Sequence, residues 1–163
     1  MRIAVQATDI YRIAREVSIP VYAQHIDTHD AASHTGAITA HAVKAAGAKG
    51  TLLNHSERRI DLDMLQASIL AAKKSRLAII ACASTPEIGS AIDALDPDYI
   101  AIEPPELIGG EHSVSTAKPE VISRSVHLIL NHLHCERVLV GAGVKDTKDV
   151  AKALELGACG VLV

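Results

Sequence analysis

A glutamate at the end of an apolar run is the residue of this sequence best suited to moving a proton. Glu103 closes the run Tyr99–Glu103, which is otherwise apolar or aromatic. A carboxylate in that position is either ion-paired for structure or a general base. Two prolines follow it, and Gly109-Gly110 comes a few residues later, so a rigid entry and a flexible exit flank the segment. Such flanks suit a hinged lid over a reaction site, and the alternative is an ordinary turn.

A histidine, His55, ends a second apolar run, Thr51–His55, and lies in the polar stretch Asn54–Arg59. One interpretation is a core-edge histidine that is hydrogen-bonded to the backbone. The other interpretation rests on a helix start after it, because the positive end of a helix dipole disfavours imidazolium. A neutral imidazole donates a hydrogen bond to a carbonyl oxygen, so His55 is a candidate electrophile.

Three further motifs carry weaker signals. Gly141-Ala142-Gly143 follows another apolar run and lets the backbone approach an anion closely. Thr35-Gly36 lies in a polar loop, where a surface turn is the simplest interpretation. His132, His134 and Cys135 come nearest to metal-ligand spacing, but the set is incomplete and away from the expected catalytic edge. We therefore expect no metal site.

The scaffold that would position these residues alternates short apolar runs with segments of helical period. The runs typical of buried parallel strands are Ile3–Ala7, Val21–His25, Thr51–His55, Ala78–Cys82, Tyr99–Glu103, Val138–Gly141 and Gly160–Val163. Apolar residues at steps of three and four predict helices over Asp61–Ser75, Pro119–Leu133 and Thr147–Leu156. Gly47 and Gly157 are helix C-cap signals, and Pro86 and Pro119 suit first helical turns.

This alternation predicts about seven parallel strands joined by about six helices through right-handed crossovers. Either an open doubly wound sheet or a barrel satisfies it. No GxGxxG follows the first run, which weakens a dinucleotide-binding sheet. A (β/α)8 barrel normally takes about 200 residues or more, so a barrel here would lack about one βα unit and one helix. We expect the 163 residues to form a single α/β domain.

Composition excludes several classes of protein. Hydrophobic residues make up 48% of the chain and charged residues 21%, which excludes a disordered chain. The net charge of −3 and the scarcity of aromatic residues argue against a nucleic-acid-binding surface. No run is long enough to span a bilayer, and the N-terminus lacks the apolar stretch of a secretory signal. Three widely spaced cysteines suggest neither disulfides nor zinc, so the expected location is the cytoplasm.

Two motifs at this spacing, Asn54–Arg59 and Ile102–Gly109, resemble the triosephosphate isomerase family, in its short archaeal form. The resemblance runs along the whole chain. The other segments that carry it are Ala23–Asp27, Ser33–Gly36, Val114–Glu120 and Gly141–Val144.

The resemblance implies a cofactor-free isomerase of glycolysis and gluconeogenesis that interconverts D-glyceraldehyde 3-phosphate and dihydroxyacetone phosphate. By resemblance, Glu103 is the catalytic base and neutral His55 stabilises the enediolate. Pro104–Gly109 is the lid, and backbone groups of Ile108, Gly109 and Gly143 hold the phosphate. The same resemblance implies supporting roles for Ser56 and Glu57, and it places Thr35 in a loop that reaches a neighbouring subunit of a homodimer or homotetramer.

Two departures from the family pattern bear on activity. Ile3–Ala7 corresponds to the family's second barrel strand, so the active-site lysine of its first strand has no counterpart here. The last phosphate-binding turn and the final helix have none either. The expected fold is therefore a truncated (β/α)8 barrel, and we expect the isolated chain to be inactive or nearly so. The alternatives are a non-catalytic remnant, a fragment completed by a partner, or a relative of another phosphate-binding barrel such as indole-3-glycerol-phosphate synthase.

Overall fold

The computed structural model describes residues 1–29, 33–108, 113–130 and 137–163, with strands and helices in alternation. The strands are β1 Ile3–Val5, β2 Val21–Ala23, β3 Gly50–Leu53, β4 Ala78–Ala83, β5 Tyr99–Ile102, β6 Val138–Val140 and β7 Gly160–Val161. The α-helices are α1 Ile10–Glu16, α2 Ala40–Ala45, α3 Leu62–Lys74, α4 Pro86–Asp93, α5 Val114–Ala117, α6 Pro119–Leu130 and α7 Thr147–Glu155. A single 3₁₀ turn spans Pro105–Leu107.

The seven strands follow one another in chain order, β1-β2-β3-β4-β5-β6-β7. The pairings β1–β2, β2–β3, β5–β6 and β6–β7 are all parallel. A doubly wound sheet reverses its strand order at a switch point, and this order never reverses. The topology is therefore that of a barrel, as one of the two sequence-based alternatives predicted.

The chain divides into two compact units, Met1–Ile80 and Ala81–Val163. The core of the first unit is aliphatic, because phenylalanine and tryptophan are absent from the chain. Its largest fully buried side chains are Ile10, Ile26, Leu53, Leu65, Ile69 and Ile79. Helix α3 turns Leu65 and Ile69 inward, and Asp61 caps its start by accepting from the N–H of Met64 at 2.8 Å.

The second unit has its own aliphatic core. Ile92, Ile100, Ile102, Ile122 and Ile129 are fully buried there. Gly89 lets α4 approach β5 closely, since a Cβ at this position would lie 2.7 Å from the Cδ1 of Ile102. A Gly89→Ala change would therefore force either the Ile102 side chain or the helix to move.

The predicted helix signals are confirmed. Gly47 and Gly157 end α2 and α7 in the left-handed region, with φ of 108° and 97°. Pro86 and Pro119 stand at the starts of α4 and α6. The connection between β5 and β6 holds an extra short helix, α5, that the apolar pattern did not predict because four residues are too few to show a period.

The predicted strands were too long at their carboxyl ends. His25, His55, Glu103 and Gly141 each lie beyond the last paired residue of a strand. An apolar run continues into the loop as long as the loop is buried, whereas pairing stops where the chain turns. Among the described residues, no helix is both long and apolar enough to cross a membrane.

Candidate active site

His55 lies in a tight turn that directly follows β3. Asn54 precedes it in the left-handed region with φ of 56° and closes the loop by accepting from the N–H of Ile60 at 3.0 Å. The Arg59 guanidinium donates to the Asn54 carbonyl oxygen at 2.8 Å. Asparagine tolerates the left-handed conformation better than most residues, so it is well suited to this sharp turn after the strand.

The His55 ring is oriented by this turn and not by a helix. The predicted helix after His55 is α3, which begins at Leu62, seven residues beyond His55 and too far for its dipole to control the ring. The N–H of Glu57 instead points to Nδ1 of His55 at 3.4 Å. The Glu57 carboxylate is also 3.6 Å from Nδ1, but its side chain is 88% exposed and the distance exceeds a hydrogen bond. The fixed main-chain N–H is therefore the better guide, and it leaves Nε2 as the donor of the ring.

Ser56 and Glu57, the predicted supporting residues, differ in their surroundings. The Ser56 hydroxyl oxygen is buried and has no hydrogen-bond partner in the described part of the chain. Glu57 contributes its main-chain N–H to His55 while its carboxylate is exposed to solvent.

Thr35 is exposed in a turn at Gly36, which has φ of 83°. The base of this loop is closed by Asp27, whose N–H donates to the Ile38 oxygen at 2.8 Å and whose Oδ2 accepts from the Ile38 N–H at 2.7 Å. The exposure of Thr35 agrees with the predicted surface turn.

Asp27 and His25 were not predicted as site residues, yet they form a connected polar cluster in the first unit. Nε2 of His25 is 3.3 Å from Oδ1 of Asp27, and Arg58 donates to the same oxygen at 3.1 Å. Burial, followed by the charge of Arg58, lowers the pKa of His25. Burial acts to raise the pKa of Asp27, but the Ile38 N–H, His25 and Arg58 together lower it.

Glu103 directly follows β5 in the second unit and is only 5% exposed. Its N–H donates to the Ala83 carbonyl oxygen at 2.8 Å, and its Oε2 is buried. A Cβ at Gly141 would lie 3.0 Å from both Cγ and Oε1 of Glu103. Gly141 thus makes room for the carboxylate, which is a different reason for glycine from the predicted approach to an anion.

The predicted lid begins with Pro104 and the 3₁₀ turn Pro105–Leu107. Ile108 follows in extended conformation and is 41% exposed, while Gly109 lies outside the described residues. Glu106 forms an ion pair with Lys118, and this contact lowers the pKa of Glu106. Pro104, Pro105, Glu106 and Lys118 line one side of a cleft of about 450 Å³ within this unit.

The predicted phosphate-binding turn follows β6. Ala142 and Gly143 are both in the left-handed region, with φ of 73° and 71°. Asp149 holds the turn by accepting from the N–H of Lys145 at 2.9 Å. This N–H bond is the main reason why the pKa of Asp149 is lowered, against the effect of burial.

The turn is also tied to the segment after the lid. The Val114 N–H donates to the Ala142 oxygen at 3.1 Å. The buried Ser113 and Ser115 hydroxyls are 2.7 Å apart, and Ser115 reaches Oδ1 of Asp149 at 3.4 Å. No local pattern predicts this network, because Asp149 is more than thirty residues away from Ser115 along the chain.

Two other predictions concern sulfur and metals. Of the cysteines that the structure describes, Cys82 is buried and Cys159 is exposed. Within the described ranges, no group of three or more acidic, histidine or cysteine side chains could hold a metal ion. His132, His134 and Cys135 lie outside those ranges.

The strand order never reverses, a buried carboxylate follows one strand, and an imidazole follows another. These features define the class of (β/α)-barrel proteins with ionisable side chains at the strand ends. A triosephosphate isomerase from Bartonella henselae has the same fold, with a TM-score of 0.78 over 99% of this chain and 78% of that chain at 24% identity. The fold prediction is confirmed.

Sequence comparison identifies the family. The family model for triosephosphate isomerase matches residues 1–163. The triosephosphate isomerase of Methanobacterium bryantii is 50% identical over 97% of this chain and 70% of that protein. The one from Methanocaldococcus jannaschii is 47% identical over 99% of this chain and 74% of that protein. The chain belongs to the triosephosphate isomerase family, as its motifs predicted.

Proposed function

We propose that this chain interconverts D-glyceraldehyde 3-phosphate and dihydroxyacetone phosphate, with Glu103 as the base and His55 as the electrophile. The observation that carries the proposal is the buried Glu103 carboxylate after β5, for which Gly141 leaves space. Family membership supplies the substrate class, a triose phosphate.

The reaction moves protons only. Glu103 removes a proton from the carbon next to the carbonyl group, and the electron pair moves onto the carbonyl oxygen to give an enediolate. Glu103 then returns the proton to the neighbouring carbon, while protons shift between the two oxygens. No electron leaves the substrate, so the chemistry needs neither oxidant nor reductant. Burial of Glu103 keeps bulk water from the proton that it carries.

His55 stabilises the enediolate in this proposal. The Glu57 N–H directed at Nδ1 supports a neutral ring that carries its proton on Nε2. Such a ring donates a hydrogen bond to the oxygen on which charge develops. Ser56 and Glu57 then support the ring, Glu57 through its main chain.

Main-chain N–H groups hold the substrate phosphate in this proposal. The left-handed residues Ala142 and Gly143 form a tight turn after β6, and we assign the phosphate to main-chain N–H groups of this turn. Ile108 and Gly109 are proposed to contribute N–H groups from the lid.

The test is incorporation of solvent deuterium into dihydroxyacetone phosphate, followed by NMR over hours so that a slow chain still registers. We expect Glu103→Gln to abolish the exchange that the chain supports. Glu155→Gln, which removes an exposed carboxylate from α7 in the same unit, is the matched control and should stay within twofold of the parent chain. Exchange that survives Glu103→Gln, or a parent chain no faster than buffer, overturns the proposal and favours a non-catalytic remnant.

We also propose a cytoplasmic homodimer or homotetramer that uses the Thr35 loop. The exposed loop tip and the small number of widely spaced cysteines in the sequence support this proposal. Light scattering should give a mass of at least two chains, and Thr35→Arg should reduce it. A monomer at micromolar concentration contradicts the assembly.

A further inference from the structure

Asp27 collects hydrogen bonds from three separate parts of the first unit. Its Oδ2 accepts from the Ile38 N–H at 2.7 Å, at the base of the Thr35 loop. Its Oδ1 is 3.3 Å from Nε2 of His25 and 3.1 Å from the Arg58 guanidinium. One short side chain therefore joins the loop after β2 to the turn after β3.

The Asp27 carboxylate is partly buried, so its hydrogen-bond partners are important for its stability. The Asp27 side chain is 21% exposed and the His25 side chain 9%. A partly buried carboxylate needs donors on its oxygens, so the arrangement around Asp27 is held more firmly than an ion pair in open solvent.

Arg58 connects Asp27 to the candidate electrophile. At its main chain, the Arg58 N–H donates to the His55 carbonyl oxygen at 2.8 Å and closes the turn. At the other end, its guanidinium is bound to Asp27. The Glu57 N–H that orients the His55 ring lies inside this turn. The contact of Arg58 with Asp27 therefore restrains the Glu57 peptide group, whose N–H orients the His55 ring.

We propose that Asp27 is a positioning residue for His55 and acts through Arg58. The geometric part of this inference stands on contacts within one unit, and its catalytic meaning rests on the proposed function. Without the Asp27–Arg58 contact the turn keeps its own bond from the Arg58 N–H to the His55 oxygen but loses its tie to the loop after β2, so the Glu57 N–H and the His55 ring can shift. Misplacement of a catalytic group by 1 Å can cost about 100-fold in rate, so we expect a loss of about 10- to 100-fold in kcat with little change in KM.

The first experiment needs no substrate. Long-range proton–nitrogen NMR of histidine rings reports which ring nitrogen carries the proton, and His55→Gln identifies the His55 signals. In the parent chain we expect a single set with the proton on Nε2. Arg58→Gln removes the link and leaves the Asp27 contacts to Ile38 and His25 in place, so it should still fold.

The comparison uses three further variants. Asp27→Ala removes the carboxylate and all its hydrogen bonds. Arg58→Lys keeps the positive charge but loses the planar guanidinium group. Asp9→Asn is the matched control, since it breaks an exposed Asp9–Arg12 pair of 3.3 Å in the same unit. We expect broadened or averaged His55 ring signals in Arg58→Gln and Asp27→Ala, partial recovery in Arg58→Lys, and parent-like signals in Asp9→Asn.

A folded Arg58→Gln chain with unchanged His55 ring signals overturns the inference, even where Asp27→Ala fails to fold. Ring signals that change in Asp9→Asn as strongly as in Arg58→Gln also overturn it, because the effect is then not specific to the link. Failure of the proposed function is separate, since it is measured by deuterium exchange with Glu103→Gln.

Discussion

Replacing Gly141 by alanine places a methyl group against the carboxylate that the proposed reaction uses. A Cβ there lies 3.0 Å from Cγ and Oε1 of Glu103 and 3.2 Å from the Leu162 carbonyl oxygen. Ordinary contact begins near 3.4 Å, so a neighbour must move by about 0.4 Å. The Leu162 oxygen belongs to the main chain, whereas the Glu103 side chain can rotate. The displacement therefore falls mainly on Glu103.

The size of the effect follows from that displacement. Added methyl groups in packed sites cost about 1–3 kcal/mol. Because the Glu103 side chain can rotate, we expect Gly141→Ala to lower the free energy of unfolding by about 1 kcal/mol. If 1 Å of misplacement costs about 100-fold, a shift of a few tenths of an ångström slows proton transfer by roughly five- to tenfold. Gly141 is not among the residues with positive φ, so alanine causes no backbone strain there.

Urea unfolding measures the first quantity, and deuterium exchange into dihydroxyacetone phosphate measures the second. Gly160→Ala is the control, because its Cβ meets only the Cδ2 of Leu139, at 3.1 Å, which a flexible side chain can withdraw. We expect parent-like exchange in that variant. A folded Gly141→Ala chain with the parent exchange rate, measured where Glu103→Gln abolishes exchange, refutes the reasoning that Gly141 exists to seat this carboxylate.

Three further predictions concern stability. The Lys145 N–H lowers the pKa of Asp149 against the effect of burial, so this group stabilises the fold above its unfolded pKa of about 3.9 and loses that contribution as pH falls through the lower folded value. Asp149→Asn should flatten the acid decline in urea unfolding, and an unchanged decline contradicts the assignment. Burial, then Arg58, lowers the pKa of His25, so the unfolded chain binds more protons below about pH 6.5 and stability falls from there downward. His25→Gln should reduce the difference in unfolding free energy between pH 7 and pH 5, and an equal difference in both chains would count against it. Asn54→Ala should cost about 2 kcal/mol, from the left-handed backbone and the lost acceptor, and Asn54→Gly only about 1 kcal/mol; equal costs would show that strain contributes nothing.

The fold was largely predictable because its signals are local. Aliphatic runs, helix caps such as Asp61, and glycines such as Gly157 each act within a few residues and appear in the sequence at fixed spacing. The strand ends were less predictable, since His25 and Glu103 continue apolar runs although they lie beyond the last residues of β2 and β5. The end of pairing depends on where the adjacent strand turns, which a single run does not contain.

The sequence predicted the main residues of the candidate site but not the hydrogen bonds that position them. Glu103 and His55 stand out because polar groups end apolar runs. Asp27 does not stand out, since its partners Ile38 and Arg58 are 11 and 31 residues away along the chain. One local signal for the turn was available: Asn54 is a residue that tolerates left-handed backbone, and the predicted helix begins only at Asp61. Together these features predict a turn between His55 and the helix.

That difference changes what controls the electrophile. A helix dipole would act on His55 through many peptide groups at once, and no single side chain could cancel it. In the turn, the Glu57 N–H faces Nδ1, and its direction depends on side-chain links that include Arg58 to Asp27, Arg59 to Asn54 and Asn54 to Ile60. Each link is one hydrogen bond that one substitution removes. His55 should therefore respond sharply to changes at Arg58 and Asn54, whereas shortening the first turn of α3 should leave its ring signals unchanged.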